Sequence, residues 1–265
     1  MRPTGPELVE AFQNGLNEQG VEVINLGLAS TDMLYFASGK LNAPGAMFTA
    51  SHNPAQYNGI KCCLAGARSI GIDNGLRDMH RFAQAVLDGN EPAPAARAGT
   101  LDHVNVLGEF ADHVVSFIAG DRLRPLRIVA DTANGMGGLV VPEVFARLAD
   151  FEIEVMYGEL DGTFPNHPAD PIQPANQRDL QARVVAGGFD VGLAFDGDAD
   201  RLPALDAECE HAQNALAISL TSGNTVDNWL YGDLQARPSN FLHKQCRRAG
   251  MQTHRGHDNG FKLNH

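Results

Sequence analysis

The chain is poor in the residues that staple small domains. It has one tryptophan and four cysteines. Cys62, Cys63, Cys209 and Cys246 show no C-x-x-C spacing. That excludes a disulfide frame or a zinc knuckle and reads as the reduced thiols of a cytoplasmic protein. No run of about 18 or more apolar residues occurs, so no membrane-spanning segment is expected. Met1-Arg2-Pro3-Thr4-Gly5-Pro6 is not followed by the apolar core of a secretory signal. Positive charge is scarce, with 20 Lys and Arg against 32 Asp and Glu and a net charge of −12. This argues against nucleic acid or an anionic membrane as partner, since both reward basic patches. It does not exclude an anionic substrate, because one metal ion or arginine can reverse the sign of a single cleft. Two nucleophile and phosphate signatures are also missing. No G-x-S-x-G elbow surrounds Ser51, and the glycines at 135, 137 and 138 fit neither a P-loop nor G-x-G-x-x-G.

What is present suffices for buried cores: 43% of residues are hydrophobic and 20% charged. The length of 265 residues exceeds the roughly 100–200 of one domain, so two or three domains are expected. Thr4-x-x-Glu7 has the form of a capping box, followed by Leu8, Phe12 and Leu16 at helical spacing, with Gly20 as the stop. Residues 21–28 and 46–50 read as strands, and Leu76, Met79, Ala83 and Val86 mark a further helix. The Pro-, Ala- and Gly-rich stretch 88–99 reads as a linker. Beyond it come a helix carrying Val104, Leu107, Val114 and Phe117 and a strand at 126–130. A Gly-rich turn at 131–138, a helix at 142–148, a strand at 153–157, a helix at 176–186 and a strand at 190–195 follow. This alternation predicts tandem α/β/α layered domains with mixed, largely parallel sheets. The boundaries expected are 1–98, 99–201 and a partial, divergent unit over 202–265.

Three constellations carry chemistry. Asp196-x-Asp198-x-Asp200-Arg201 places alternate carboxylates around small residues at a strand's end, a pattern suited to one Mg²⁺. Three such carboxylates repel one another unless a cation neutralises them. The alternatives are a solvated acidic turn and an EF-hand. The latter fails, because Arg201 stands where its sixth position needs Gly and Ala207 where its twelfth needs Glu. The second constellation is Thr49-Ala50-Ser51-His52-Asn53-Pro54, running on to Lys61. A hydroxyl at a strand end needs a base or a metal to act as nucleophile, and His52 and Lys61 are candidate helpers. Taken alone, the Ser51-His52 pair is equally an ordinary turn. The third is Arg255-Gly256-His257 with Lys262, a basic group able to hold phosphate or simply a solvated tail.

Four segments in order resemble the α-D-phosphohexomutases, specifically the bacterial phosphomannomutase/phosphoglucomutase group. Thr49 to Lys61 matches T-A-S-H-N-P-x-x-Y-N-G-x-K, and Asp196 to Arg201 matches D-G-D-x-D-R. Asp131 to Gly137 resembles D-x-x-N-G-x-G, and Leu160 to Asn166 the D-G-x-F-P-x segment. The resemblance implies interconversion of hexose 1-phosphate and 6-phosphate, of mannose or glucose, through phosphoserine at Ser51 and a 1,6-bisphosphorylated sugar. Asp196, Asp198, Asp200 and an oxygen on Ser51 would hold Mg²⁺. Lys61 would assist proton transfer, while Arg201 and His52 would orient the phosphate. Arg255, Gly256, His257 and Lys262 resemble a substrate-contacting G-H-x-x-x-K loop with one extra residue. The family's opening G-T-S-G-x-R-G loop, its E-x-S-G sugar loop and its fourth domain have no counterpart, and residues 202–228 fail to resemble the expected strands. A non-catalytic, Mg²⁺-binding remnant is therefore the alternative expectation.

Overall fold

A computed structural model describes residues 1–118 and 124–206, together with two short backbone strands at 254–255 and 261–262. The first helix, α1 (Gly5–Glu18), starts and stops where the periodicity places it. Gly20 takes the left-handed conformation (φ 78°) after it and donates its N–H to Asn17 O. The capping box does not form. The Thr4 side chain makes no cap bond to α1, and its Oγ1 accepts instead from Asn58 Nδ2 at 3.0 Å. The strand expected over 21–28 contracts to β1 (Val23–Asn25). Then comes α2 (Thr31–Leu41), which no periodicity announced. Its start is fixed by Ser30, whose Oγ accepts from Met33 N–H, and its end by Asn42 in the left-handed region. Strands β2 (Gly45–Phe48), β3 (Ile60–Leu64) and β4 (Arg68–Ser69) form an antiparallel sheet, with Phe48 opposite Ile60. Helix α3 (Leu76–Leu87) follows.

Past the 88–99 stretch, β5 (Leu101–His103) pairs in parallel with β1, so a strand beyond residue 98 completes a sheet begun before it. Helix α4 (Leu107–Ser116) begins later than expected, leaving Val104 outside it. Strand β6 (Leu126–Asp131), α5 (Gly137–Phe145), β7 (Phe151–Met156), α6 (Arg178–Gly187), β8 (Val191–Ala194) and β9 (Ala204–Asp206) complete the second unit. Its sheet has the order β7-β6-β8-β9. The first three strands are parallel and β9 is antiparallel, with Gly192 opposite Leu205. The parallel character expected of the whole chain is thus concentrated here, while the three-stranded sheet is antiparallel. Strands β10 (His254–Arg255) and β11 (Phe261–Lys262) form an antiparallel pair.

The two units share a core. Met33 and Ala37 of α2 pack with Phe110, Ala111 and Val114 of α4 and Val144 of α5. Burying a side chain such as Phe110, 2% exposed, stabilises by about 1.5–3 kcal/mol. A second core seats Leu180 and Val184 of α6 against Val129, Ala194 and Leu205 of the sheet. The first core joins α2 to α4 and α5, the second seats α6 on its sheet, and the ends of β2 and β8 carry the chemistry. Among the described residues no helix is long and apolar enough to cross a membrane.

Candidate active site

Ser51 follows the end of β2 in a tight turn. Its backbone is left-handed (φ 51°), its N–H donates to Thr49 Oγ1 at 3.0 Å, and Asn53 N–H donates to Ala50 O at 2.9 Å. A non-glycine residue in that conformation is uncommon and persists where its surroundings hold it. Arg2 holds it. The residue is 3% exposed, and its guanidinium donates to Ser51 O at 2.5 Å and to Asn53 O and Pro54 O at 2.7 Å each. The turn aims the Ser51 hydroxyl inward, where Oγ donates to Asp196 Oδ2 at 2.6 Å and accepts from Arg201 Nη1 at 3.0 Å. Arg201 also meets His52 Nδ1.

The carboxylates lie in the loop between β8 and antiparallel β9, closed by Ala194 N–H donating to Pro203 O at 3.0 Å. The loop curls around Asp196, whose Oδ1 accepts the Asp200 and Arg201 backbone N–H groups at 3.0 and 3.1 Å. Gly197 is needed by a close approach. A Cβ there would lie 2.6 Å from Ser51 O. The Gly-rich turn at 131–138 lies against it: Met136 N–H donates to Gly197 O at 3.0 Å, and a Cβ on Gly135 would sit 2.9 Å from that same oxygen. Its glycines serve close packing against the acidic loop.

Asp196 and Asp198 are buried at 0% and 2% exposure. One oxygen from each of Asp196, Asp198 and Asp200 lies within 4.8 Å of the others. Lys61, on β3, donates from Nζ to Asp198 Oδ2 and Asp200 Oδ2 at 2.6 Å each. Thr31, the first residue of α2, donates from Oγ1 to the same Asp198 oxygen at 2.8 Å, and its N–H donates to Asp198 O. Burial, then the charges of Asp198 and Asp200, push the Asp196 carboxyl up to about 8. Burial would also raise Asp198, but the Lys61 ammonium outweighs it and the net shift is downward. For Lys61, burial works to lower the pKa, and the two carboxylates prevail and raise it. Asp198 Oδ1 and Asp200 Oδ1 remain buried with no hydrogen-bond donor. Unsatisfied acceptor oxygens beside a third carboxylate are what a hard cation satisfies, so these residues fit a divalent metal ion.

The fold thus brings Ser51, His52, Lys61, Asp196, Asp198, Asp200 and Arg201 into one cluster. Arg255 and Lys262 lie on the β10–β11 pair, whereas Gly256 and His257 fall outside the described residues. Two members were missed in the sequence. Arg2 sits in a short stretch before α1 that reads as a plain terminus, and Thr31 sits at a helix start whose one signal is the Ser30-Thr31-Asp32 cap.

A buried serine facing an acidic, cation-fitting loop between two α/β units defines a layered α/β protein with a shared inter-unit site. Residues 1–75 match the family model described as phosphoglucomutase/phosphomannomutase, alpha/beta/alpha domain I. Residues 108–209 match that of alpha/beta/alpha domain II. The chain belongs to the phosphoglucomutase/phosphomannomutase family. It is 38% identical over 202 residues to a phosphoglucomutase of Neisseria gonorrhoeae, an alignment covering 76% of this chain and 42% of that protein. It is 35% identical over 225 residues to a phosphomannomutase of Escherichia coli strain K12, covering 83% and 49%. The crystal structure of a phosphoglucomutase/phosphomannomutase family protein from Burkholderia thailandensis superposes with a TM-score of 0.67 at 31% identity, covering 79% of this chain and 45% of that one. The chain spans less than half the length of each of these relatives.

Proposed function

We propose that this chain carries the phosphoryl-transfer centre of a hexose-phosphate mutase, with Ser51 as phosphate carrier. One observation supports it most: the Ser51 hydroxyl is buried, donates to Asp196 and accepts from Arg201. A serine in that setting has an acceptor for its proton and a guanidinium beside the oxygen that would bear phosphorus. In the forward step a sugar hydroxyl attacks phosphorus on Ser51 and the P–Oγ bond breaks. In the return step Oγ, its proton passing to Asp196, attacks the other phosphate of the bisphosphorylated sugar, the bond from that phosphorus to the sugar oxygen breaks, and the sugar oxygen leaves as a hydroxyl once it takes a proton. Mg²⁺, held by Asp196, Asp198, Asp200 and an oxygen on Ser51, would spread the charge that develops on the phosphoryl oxygens. Arg201 and His52 would orient the group, and Lys61, whose ammonium is held by Asp198 and Asp200, would assist proton transfer at the sugar hydroxyl.

The substrates in this reading are mannose or glucose phosphates, since relatives named for each sugar are similar to most of this chain. Free thiols at Cys62 and Cys63 fit a reducing, cytoplasmic setting. The reading is tested by following glucose 1-phosphate or mannose 1-phosphate with Mg²⁺ and the matching 1,6-bisphosphate by phosphorus NMR. Transfer of the bisphosphate's label to protein, lost in Ser51→Ala, is expected. Label that persists in Ser51→Ala, or moves to Asp196 or Asp198, would replace this mechanism with an aspartyl-phosphate one.

A further inference from the structure

The segment 157–168 touches no carboxylate of the acidic loop through its own polar groups, yet it meets both halves of the centre. Phe164 is buried and left-handed (φ 54°), a conformation that a bulky side chain adopts only where its surroundings impose it. Phe164 N–H donates to Asp161 O at 3.0 Å, and Thr163 bonds Asp161 Oδ1 through both N–H and Oγ1. Asp161 N–H donates to Asn134 O at 3.0 Å, and Asn166 Nδ2 donates to Asn134 Oδ1 at 2.7 Å. Asn134 belongs to the same turn whose Met136 N–H holds Gly197 O. The segment is therefore anchored to the support of the acidic loop.

The Phe164 ring then reaches across. Its Cζ lies 3.4 Å from where a Cβ on Gly197 would be, and the ring packs among Met1, Ala55, Ala133 and Ala169. The Arg2 guanidinium stands over the ring at 5.0 Å from its centroid. This is the same guanidinium that donates to three carbonyls of the Ser51 turn. A cation removed from water, with its donors committed to carbonyls, gains from an aromatic face more than an exposed one does.

We infer that Phe164 is a positioning residue: by carrying Arg2 on its ring face and abutting Gly197 with its edge, it fixes the separation between the Ser51 turn and the acidic loop. The catalytic consequence rests on the mutase reading above; the structural one does not. A chain that sets a hydroxyl 2.6 Å from Asp196 needs such a brace, because small misplacements of reacting groups are costly in rate.

The test uses the full chain and two readouts. Phe164→Leu keeps an apolar side chain but removes the π face, and a ring-difluorinated phenylalanine at 164 (both fluorines meta to Cβ) keeps shape while weakening that face. Tyrosine is not a suitable control, since its hydroxyl would project from Cζ toward Gly197. Hydrogen exchange of the amides in 50–57 should quicken about tenfold in Phe164→Leu, the scale of a lost buried cation–π contact. It should quicken less in the fluorinated protein, and remain unchanged in α6 and β8. Arg2→Met should quicken the same amides more, since it also removes three hydrogen bonds to the turn, and adding Phe164→Leu to it should bring no further loss. Phosphate uptake on Ser51 should fall in step at unchanged Mg²⁺ affinity. Unchanged exchange in 50–57 beside a lowered melting temperature, or additive effects of the two substitutions, would overturn the inference. A parent protein that takes no phosphate on Ser51 would refute the mutase reading, and the exchange data would still decide the role of Phe164.

Discussion

Mg²⁺ binding to this chain should tighten steeply with pH. The perturbation is a change from about pH 6 to about pH 8 at constant ionic strength. Asp196 is fully buried beside Asp198 and Asp200, and its carboxyl is pushed up to about 8. Below that value the metal-free pair Asp196 and Asp198 retains a proton, and a cation binding the three carboxylates must expel it. One displaced proton corresponds to about tenfold in affinity per pH unit, hence about a hundredfold over the range, flattening above about 8. Titration calorimetry at about pH 7 in two buffers of different ionisation enthalpy should show release of close to one proton per ion. The stability of the metal-free protein carries the same signature with its sign fixed. A carboxyl raised in the folded state stabilises fully below its unfolded pKa, near 4, and that contribution declines as pH rises to about 8. The slope is on the order of 1.4 kcal/mol per unit at most. Asp198 is shifted the other way by Lys61 and acts only at acidic pH, below its ordinary value. An affinity that stays flat between pH 6 and 8, with heats independent of buffer, would show Asp196 already ionised and refute the burial argument.

Three further outcomes are expected. Gly197→Ala should lose about 1–3 kcal/mol in urea unfolding, because its Cβ would lie 2.6 Å from Ser51 O and one of the two loops must yield; an unchanged midpoint would contradict the close approach. Asp198→Asn should weaken Mg²⁺ binding more than about tenfold and also destabilise the metal-free protein by about 1–3 kcal/mol, since Lys61 and Thr31 lose their charged acceptor. Calorimetry and thermal melts separate the two effects, and a more stable metal-free variant would mean that carboxylate repulsion dominates. Phe110→Ala should cost about 3–5 kcal/mol in chemical denaturation by opening a cavity between α2 and α4; a loss under about 1 kcal/mol would indicate that the two units do not share that core.

Much of this site is written in short contiguous motifs, which is why Ser51 and the three aspartates could be singled out from residue order. The β8 loop is legible because alternate carboxylates with small residues between them leave few other uses. What could not be read is whatever the fold brings from afar. Repulsion within the acidic loop is the natural inference from three aspartates in a row, yet Lys61, 137 residues from Asp198, bonds two of them and offsets one of their charges, leaving the repulsion to fall on Asp196. Helix α2 was invisible because Thr31, Asp32, Met33, Leu34, Ala37 and Ser38 are all buried, leaving no polar face to set a period. The reverse failure occurred at Thr4, where the capping-box letters are present but the hydroxyl is used by Asn58. Strand β5 is three residues long with no buried side chain, and only its pairing with β1 reveals it.

The central claim is that Ser51 and the carboxylate loop form one phosphoryl-transfer centre. Peptide-mapped mass spectrometry of the full chain, after incubation with a hexose 1,6-bisphosphate and Mg²⁺, tests it most directly. The account predicts one phosphoryl group on the peptide containing Ser51, absent without Mg²⁺ and absent in Ser51→Ala. Phosphate found on Asp196 or Asp198, or no modification of a folded, Mg²⁺-binding chain, would contradict it.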